Sequence, residues 1–290
     1  MNVWRVNTRT QTLTIEPTPE SWERFGGRAL LARILLDEGV ATCEPLGIGN
    51  KLVFAPGLLV GHRLSSCDRI SVGGKSPLTG GIKEANAGGR TGYHMTFMGM
   101  KALILEDRPE GDEWWILVLT MDGARFESAD DIAGMGVYEA APKLVERYGD
   151  KVAISLIGPG GEMLMASAGI QNIDKDKVPS RIAARGGLGA VMGSKRIKAI
   201  VFDESGGERP PIADPDAFRA ATREFTKALG AHPVVKSFEE YGTAGMVRMC
   251  DGFGAIPTPN FSAGKFEEAE KISGEHLRDI LTTRENADPS

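Results

Sequence analysis

Two glycine-rich segments of this 290-residue chain combine the residue types that could bind an anion. The first, residues 68–92, has seven glycines, and the second, RIAARGGLGAVMGSK, spans residues 181–195. Their candidate cations are Arg69, Lys75, Lys83 and Arg90 in the first segment and Arg181 and Arg185 in the second. Glycine lets backbone N–H groups approach an anion closely, and arginine offers planar, paired donors to phosphate. Both segments therefore predict phosphate bound at close backbone range, the alternative being that the glycines serve only turns and close strand packing.

Familiar phosphate motifs do not account for the second segment. The P-loop pattern fails because Gly193 is followed by Ser194 rather than by lysine. Gly187, Gly189 and Gly193 form a variant of the dinucleotide fingerprint, but the residues before them do not form a hydrophobic strand pattern. An NAD(P)-binding oxidoreductase stays open as an alternative, and it requires a parallel sheet with a strand that leads directly into Gly187.

The two segments belong to two copies of one pattern, residues 51–107 and residues 151–203. A constant offset relates Gly89 to Gly186, Gly92 to Gly189, and Lys101-Ala102 to Lys198-Ala199. Each copy is predicted to contain a strand, a turn, a long loop, a G-x-x-G, a short helix and a strand that begins with Lys-Ala. Duplication would place two similar loops about a pseudo-twofold axis, which would suit a ligand made of two similar halves.

Apolar periodicity predicts the elements that must position these loops. The predicted strands are residues 3–7 and 11–17 (a hairpin), 51–57, 101–107, 114–120 and 124–129 (a second hairpin), 151–162 and 198–204, and the predicted helices are 25–39, 137–149, 214–230 and 271–285. Residues 204–213 form a linker-like stretch. We therefore predict a mixed α and β domain at 1–208, and at 209–290 the beginning of a mainly helical domain.

Composition excludes several classes of protein. The formal net charge is −5 and no long basic run is present, so an extended nucleic-acid surface is not expected. The N-terminus has no signal-peptide pattern and no window approaches about 18 consecutive apolar residues, so we expect no membrane span and a cytoplasmic protein. Cys43, Cys67 and Cys250 are too widely spaced for a disulfide framework or for a tetrahedral metal site made by this chain alone. The four histidines are not at ligand spacing, and none is assigned to catalysis.

Several motifs in collinear order resemble the tungsten- or molybdenum-dependent aldehyde:ferredoxin oxidoreductase family. They are GGRALLARIL (26–35), KSPLTGG (75–81), ANAGG (85–89), IGPGGE (157–162), GGLGAVMGSKRIKAI (186–200), GAIPTPNF (254–261) and AEKISGE (269–275). The resemblance implies an α+β, internally duplicated N-terminal domain with two β-sheets related by pseudo-twofold symmetry. That domain would form a base under tungsten or molybdenum bound by two pterin dithiolenes, with a magnesium ion bridging the pterin phosphates.

The resemblance also implies site residues. It implies cofactor contacts at Arg69, Asn86 and Gly88 in the first segment and at Arg181, Ile182, Ala184 and Arg185 in the second. The main-chain carbonyls of Asn86 and Ile182 would hold the magnesium ion. Ala184 stands where the family has a glycine, and its methyl group would crowd the pterin and change how the pterin is positioned. Lys75 is equally explained as a solvated lysine, Glu162 is expected to support a loop through hydrogen bonds to backbone N–H groups, and no catalytic residue is assigned.

The function implied is oxidation of a small aldehyde to a carboxylic acid in anaerobic metabolism, with electrons passed through a [4Fe–4S] cluster to ferredoxin or an electron-transfer subunit. The resemblance places the cluster cysteines and the acid and histidine of the substrate pocket beyond residue 290, so we expect this chain alone to be inactive. A fragment, a truncated gene and one part of a split enzyme all fit. A non-catalytic remnant or assembly module is a further alternative, and a homo-oligomer stays open.

Overall fold

The chain folds as two compact units, Met1–Pro211 and Ile212–Ser290. A computed structural model describes residues 1–62 and 64–282, with side chains given through residue 280. The first unit is built on two β-sheets, and the second is mainly helical. The helices of the first unit are α1 (Glu20–Glu23), α2 (Gly27–Asp37), α3 (Thr91–Phe97), α4 (Val137–Tyr148), α5 (Pro159–Glu162) and α6 (Leu188–Ser194). The α+β fold predicted from the sequence is confirmed.

Each sheet has six strands. The first consists of β1 (Asn2–Asn7), β2 (Thr12–Pro17), β3 (Leu52–Pro56), β4 (Ile70–Lys75), β5 (Ile82–Ala87) and β6 (Met100–Glu106), in the order β2-β1-β6-β3-β4-β5. The second consists of β7 (Trp115–Thr120), β8 (Gly123–Ser128), β9 (Ala153–Leu156), β10 (Ile170–Asn172), β11 (Arg181–Ala183) and β12 (Ile197–Phe202), in the order β8-β7-β12-β9-β10-β11. One pair in each sheet is parallel, β1 with β6 and β7 with β12, and the other pairs are antiparallel.

The strand orders confirm the predicted duplication. Every strand of the first sheet has a counterpart in the second, and the parallel pair takes the same place in both. In each sheet the parallel pair also slips by one residue, and the extra residue is a lysine, Lys101 in the first and Lys198 in the second. The repeat extends beyond the two copies seen in the sequence, because the hairpin β7–β8 repeats the hairpin β1–β2.

The core of the first unit lies in three apolar layers. The facing surfaces of both sheets form the central layer together with α3 and α6, and Phe54 and Phe202 are fully buried there. The outer surface of the first sheet packs on α2 and that of the second on α4. Burial of each large apolar side chain contributes about 1.5–3 kcal/mol. The shared central layer therefore fixes the two sheets, and the strands at their edges, relative to each other.

The prediction of long loops before each G-x-x-G was wrong. Residues 68–92 contain the hairpin β4–β5, and the chain before the second G-x-x-G contains β10 and β11. The glycines that hid this hairpin are required by close contacts. A Cβ on Gly73 would lie 2.6 Å from Leu31 Cδ1, and one on Gly74 would lie 2.4 Å from the carbonyl oxygen of Lys51. Tertiary contact therefore overrides the low strand propensity of glycine.

The second unit contains α7 (Pro215–Ala231), α8 (Pro233–Tyr241), α9 (Val247–Gly252) and α10 (Gly274–Thr282). Asp214 caps α7 as predicted, because its Oδ1 accepts from the backbone N–H groups of Asp216 (3.1 Å) and Ala217 (2.9 Å). The helix predicted at 271–285 is α10, and residues 283–285 lie outside the described residues. Within the described part of the chain, no helix is long and apolar enough to cross a membrane.

Candidate anion-binding site between the two edge strands

The strands β5 and β11 are edge strands at matching ends of the two sheets, and they lie side by side. They run in opposite directions, because Gly186 lies beside Lys83 whereas Gly89 lies beside Arg181. A Cβ added to Gly186 would lie 2.4 Å from Lys83 Cγ, and one added to Gly89 would lie 3.5 Å from Arg181 Cβ. The two glycine-rich segments therefore meet, as the predicted duplication requires.

Gly88 lies next to two of the predicted arginines, which come from different halves of the duplicated unit. A Cβ added to Gly88 would lie 3.5 Å from Arg69 Nη1 and 3.7 Å from Arg181 Cδ. Both arginines are exposed, and among the described residues no carboxylate forms an ion pair with Arg69. Two guanidinium-bearing side chains beside one uncrowded backbone position have the chemistry suited to an anion that accepts paired hydrogen bonds.

The Asp174 carboxylate is the acidic group that faces Arg181, at 3.9 Å between Oδ2 and Nε. Burial raises the pKa of Asp174, but hydrogen bonds from Ser180 Oγ (2.7 Å) and from the N–H groups of Val178 (3.1 Å) and Asp176 (2.9 Å) outweigh burial, and the pKa lies below its usual value. The carboxylate is therefore ionised and held by its own loop. Its distance from Arg181 leaves the guanidinium N–H groups available to another anion.

The backbone of Asn86 faces the outer edge of the first sheet. The β4–β5 hairpin closes with the N–H of Ser76 donating to the carbonyl oxygen of Gly81 at 2.9 Å, so these two residues form a hydrogen-bonded pair. Bonded and non-bonded pairs alternate along an antiparallel ladder, and the pair Ser71–Asn86 lies five positions further on. That pair is therefore non-bonded, and the C=O and N–H groups of Asn86 point away from β4.

The backbone of Ile182 faces the outer edge of the second sheet for the same reason. The N–H of Ile173 donates to the carbonyl oxygen of Ile154 at 3.0 Å, so the backbone groups of Ile173 face β9. Backbone groups of residues two apart in a strand face the same side, so the backbone groups of Gln171 also face β9. Gln171 is the partner of Ile182 across the β10–β11 pair. This pair is therefore non-bonded, and the C=O group of Ile182 points away from β10.

The donor set fits a group that combines phosphates with a hard cation. The carbonyl groups of Asn86 and Ile182 lie on the outer edges of the adjacent strands β5 and β11, and Arg69 and Arg181 approach Gly88 just beyond the end of β5. Magnesium prefers oxygen ligands, and guanidinium groups pair with phosphate oxygens. The residues predicted for a phosphate-bridged magnesium ion are therefore of the right kind and lie on the same two strands.

Ala184 and Arg185 lie in the exposed turn that follows β11. The Cα of Ala184 would lie 3.3 Å from a Cβ added to Gly169, so this residue packs on one side and is open to solvent on the other. Within the described residues, Arg185 forms no ion pair with a carboxylate. The structure thus places Arg69 and Arg181 on either side of the space beside Gly88 and leaves Arg185 on the adjoining turn.

Two further candidates from the sequence have partners within the protein. Lys75 Nζ donates to the carbonyl oxygen of Ala41, which accounts for this lysine without a ligand. Glu162 Oε2 accepts from the N–H of Gly134 at 2.8 Å, and its Oε1 pairs with the buried ammonium group of Lys198. The predicted role of Glu162 in supporting a loop is confirmed.

Two buried polar residues beneath the site were not identified from the sequence. Ser76 bonds to the loop of the second segment, and Asn172 bonds to the backbone of Arg181. Ser76 lies inside the KSPLTGG motif, which could have drawn attention to it. Asn172 carried no signal, because the chain around it was interpreted as a loop.

The dinucleotide-binding alternative is excluded by the sheet. That reading requires a parallel strand leading directly into Gly187, but β11 ends at Ala183 and pairs antiparallel with β10.

His94 is a core residue of α3. Burial and then the charge of Arg90 lower its pKa to about 4, so it is neutral near pH 7. In the described part of the chain, no group of three or more His, Cys, Asp or Glu residues could hold a metal ion.

Sequence comparison places this geometry in a family. The sequence model for the N-terminal domain of aldehyde ferredoxin oxidoreductase matches residues 3–204, and the model for domains 2 and 3 of the same enzyme matches residues 220–287. The chain belongs to the aldehyde ferredoxin oxidoreductase family. The residues matched by the N-terminal domain model, 3–204, lie within the duplicated first unit, Met1–Pro211.

Curated members of the aldehyde ferredoxin oxidoreductase family align along most of the chain. The tungsten-containing aldehyde ferredoxin oxidoreductases of Thermococcus kodakarensis and Pyrococcus furiosus are each 36% identical over 277 residues, which is 94% of this chain and 44% of the relative. The WOR-like subunit of an aliphatic sulfonate oxidoreductase of Pyrococcus furiosus is 28% identical over 81% of this chain and 38% of its own length. The chain thus spans less than half the length of these relatives.

A solved structure shares the fold. The active-site complex BamBC of benzoyl coenzyme A reductase, in complex with 1,5-dienoyl-CoA, superposes with a TM-score of 0.72 over 79% of this chain and 34% of the matched chain, at 26% identity. The aldehyde ferredoxin oxidoreductase fold of the chain is therefore found in a second kind of oxidoreductase.

Proposed function

We propose that this chain forms the base for a tungsten–bispterin cofactor in an oxidoreductase that converts aldehydes to carboxylic acids. The observation that carries the proposal is the meeting of the two glycine-rich segments, where Arg69 and Arg181 approach Gly88 from different halves of the duplicated unit. A ligand with two similar anionic halves matches a site built from two similar halves of protein. The tungsten-containing relatives supply the identity of the metal in this proposal.

Each residue of the site has a stated role in the proposal. Arg69, Arg181 and Arg185 bind and orient the pterin phosphates, and Gly88 leaves the room that a side chain would fill. The outward carbonyl groups of Asn86 and Ile182 would supply oxygen ligands to a magnesium ion. When bound, the tungsten–bispterin group would supply the two-electron oxidation of the substrate.

The reaction of the whole protein is part of the same proposal. The chain spans 44% of the length of its tungsten-containing relatives, so aldehyde oxidation, a [4Fe–4S] cluster and ferredoxin as electron acceptor are proposed for the complete assembly. A cytoplasmic location belongs to that proposal too. The part assigned to this chain is to bind the cofactor, to fix its phosphates and to present one of its faces.

Metal and pterin analysis tests the proposal. The full chain would be purified without oxygen from cells supplied with tungstate and molybdate, alongside a variant with Arg69, Arg181 and Arg185 changed to alanine. A matched control would change three exposed arginines outside both segments, Arg33, Arg125 and Arg219, and so remove the same charge. We expect the metal and pterin content of the site variant to fall at least tenfold, because charge-assisted hydrogen bonds to phosphate are lost, and the control to match the wild type.

Two outcomes would contradict the proposal. If the folded wild-type chain holds neither metal nor pterin, even with the downstream domains co-expressed, the proposed function is wrong and a non-catalytic remnant is favoured. Equal loss in the control and in the site variant would mean that net charge, rather than these three arginines, governs binding.

A further inference from the structure

Ser76 links the first half of the duplicated unit to the second. Its side chain is fully buried at the end of β4, and its Oγ–H donates to the carbonyl oxygen of Gly186 at 2.7 Å. The same Oγ accepts from the N–H groups of Leu78 (3.2 Å) and Thr79 (3.0 Å). One hydroxyl therefore connects the β4–β5 turn to the loop that carries Arg185.

Asn172 makes the corresponding link in the other direction. Its side chain is also fully buried, at the end of β10, and its Oδ1 accepts from Thr91 Oγ1 (3.0 Å) and Ser155 Oγ (2.6 Å). Its Nδ2 donates to the carbonyl oxygen of Arg181 at 3.1 Å. Thr91 belongs to the first half and directly follows the loop 88–90, so Asn172 joins that loop to the strand that carries Arg181.

The glycines at these two links pack closely against the opposite half of the protein. A Cβ on Gly89 would lie 2.8 Å from the carbonyl oxygen of Ile173. The neighbouring residue, Arg90, donates its backbone N–H to that same oxygen at 3.3 Å. Because Gly186 likewise packs on the Lys83 stem, each loop is seated on the opposite half of the protein by one buried hydrogen-bonding side chain and one glycine.

We propose that Ser76 and Asn172 are positioning residues that lock each glycine loop onto the opposite half, so that Arg69 and Arg181 keep their spacing before any ligand binds. The identity of the ligand rests on the function proposed above, whereas the locking concerns the protein alone. A site held in its binding geometry does not lose conformational entropy when the ligand arrives, and this raises affinity. The two locks would therefore serve both halves of a two-part anion at once.

Amide hydrogen exchange on the full-length chain, prepared without cofactor, tests the locks. In Ser76→Ala we expect exchange at residues 185–188, in the second half, to rise about tenfold, the factor that corresponds to one hydrogen bond. In Asn172→Ala we expect faster exchange instead at residues 89–91, in the first half, and at Arg181. Thr91→Val, which keeps the side-chain shape, removes the α3 end of the same link and serves if Asn172→Ala does not fold.

The control is Ser194→Ala, because Ser194 is a buried serine whose Oγ donates within its own helix, to Val191 O at 2.8 Å. It should leave both loops unchanged, and Ser76→Thr, which retains the hydroxyl, should restore slow exchange at 185–188. The inference is overturned if Ser76→Ala leaves these amides unchanged. It is also overturned if exchange rises equally in both loops and in β6 and β12, since that would be general destabilisation.

Cofactor content separates this inference from the proposed function. Reciprocal loosening of the loops, together with reduced tungsten and pterin content in Ser76→Ala, supports both. Reciprocal loosening in a wild-type chain that holds no metal supports the locks and refutes the proposed ligand. Unchanged loops in a chain that does hold tungsten refute the locks alone.

Discussion

At the scale of single residues, the cations of this protein separate into two groups by their surroundings. The arginines of the site are exposed and lie beside bare backbone, whereas Lys195 and Lys198 are fully buried and donate to backbone carbonyl groups. Guanidinium groups can bind phosphate in pairs while they remain solvated. A buried ammonium group must instead find internal acceptors, because desolvation is costly. Residue type, exposure and hydrogen-bond partners therefore all differ between the arginines of the site and these two buried lysines.

The glycines also differ in their surroundings. Alanine substitutions at different glycines should therefore affect cofactor binding and protein stability separately. Gly88→Ala adds a methyl group whose nearest contacts, 3.5–4.0 Å away, are ordinary. We expect its melting temperature to stay within a few degrees of the wild type, while tungsten and pterin content falls because the methyl group occupies the space between the arginines. Gly187→Ala should unfold the protein more easily, since its φ is +69° and its Cβ would lie 1.9 Å from Ala166 O. Thermal unfolding combined with metal analysis checks both, and a Gly88→Ala chain with full cofactor content would contradict the site.

Lys195 gives a prediction about pH. Its Nζ donates to the carbonyl oxygens of Asn50 (2.7 Å) and Asp107 (2.9 Å), and burial lowers its pKa to about 7. Between pH 7 and the unfolded value of about 10.5 the unfolded chain binds more protons, so this group makes the free energy of unfolding rise with pH, by at most about 1.4 kcal/mol per unit. The penalty for the buried charge is complete below pH 7 and vanishes above pH 10.5. Urea unfolding at pH 7.5–10 should therefore show a smaller rise in Lys195→Met, and parallel curves for the two proteins would show that Lys195 does not titrate in this range.

At the scale of elements, the sequence predicted most of the strands that have continuous apolar runs and missed those that lack them. The hairpins β1–β2 and β7–β8 and the helices α2, α4 and α7 follow from periodicity and turn residues alone. The strand β4 was missed because Ser71, Gly73 and Gly74 break its apolar pattern, and the contacts that require those glycines come from α2 and from Lys51. The strands β5, β10 and β11 were missed because they are short or polar and contain no continuous apolar run. Arg69, Arg181 and Arg185 follow from residue type and spacing, whereas Asn86, Gly88, Ile182 and Ala184 rest on family resemblance. The duplication predicts that the two segments lie about a common axis, but their place at the sheet edges depends on the four strands that the sequence pattern does not predict.

The one-residue slip between β7 and β12 in the second sheet gives a prediction about stability. Lys198 is the extra residue there, and its fully buried ammonium group pairs with Glu162, which also accepts from the N–H of Gly134. Glu162→Gln keeps the shape and removes the charge, so we expect it to destabilise the fold by about 3 kcal/mol, in the range for breaking a buried pair. Glu139→Gln is the matched control, because exposed Glu139 also accepts from a backbone N–H, that of Gly136, at 3.2 Å. Urea unfolding measures both, and equal losses would mean that the buried charge of Lys198 contributes nothing.

At the scale of the whole molecule, the two units differ in how much apolar surface each buries by itself. The first unit has three apolar layers made by two sheets and five helices. In the described part of the second unit, the buried residues are Ala269, Ser273 and Gly274, and α7, α8 and α9 bury none. Apolar side chains such as Phe225, Val234 and Phe238 remain 40–53% exposed there. Since folding depends on burial of apolar area, the first unit should hold most of the stability.

Limited proteolysis tests this difference. Trypsin should cut the native chain first within the second unit, where arginines and lysines such as Arg223 and Lys236 lie on exposed helices without a core. We expect a resistant fragment that ends close to Pro211, the last residue of the first unit. This fragment, expressed as residues 1–211, should melt within a few degrees of the main transition of the full chain, because its three apolar layers are intact. Mass spectrometry of the digest and calorimetry of both proteins give the answer: initial cleavage inside β3 to β6, or failure of residues 1–211 to fold, would show that the first unit depends on the second.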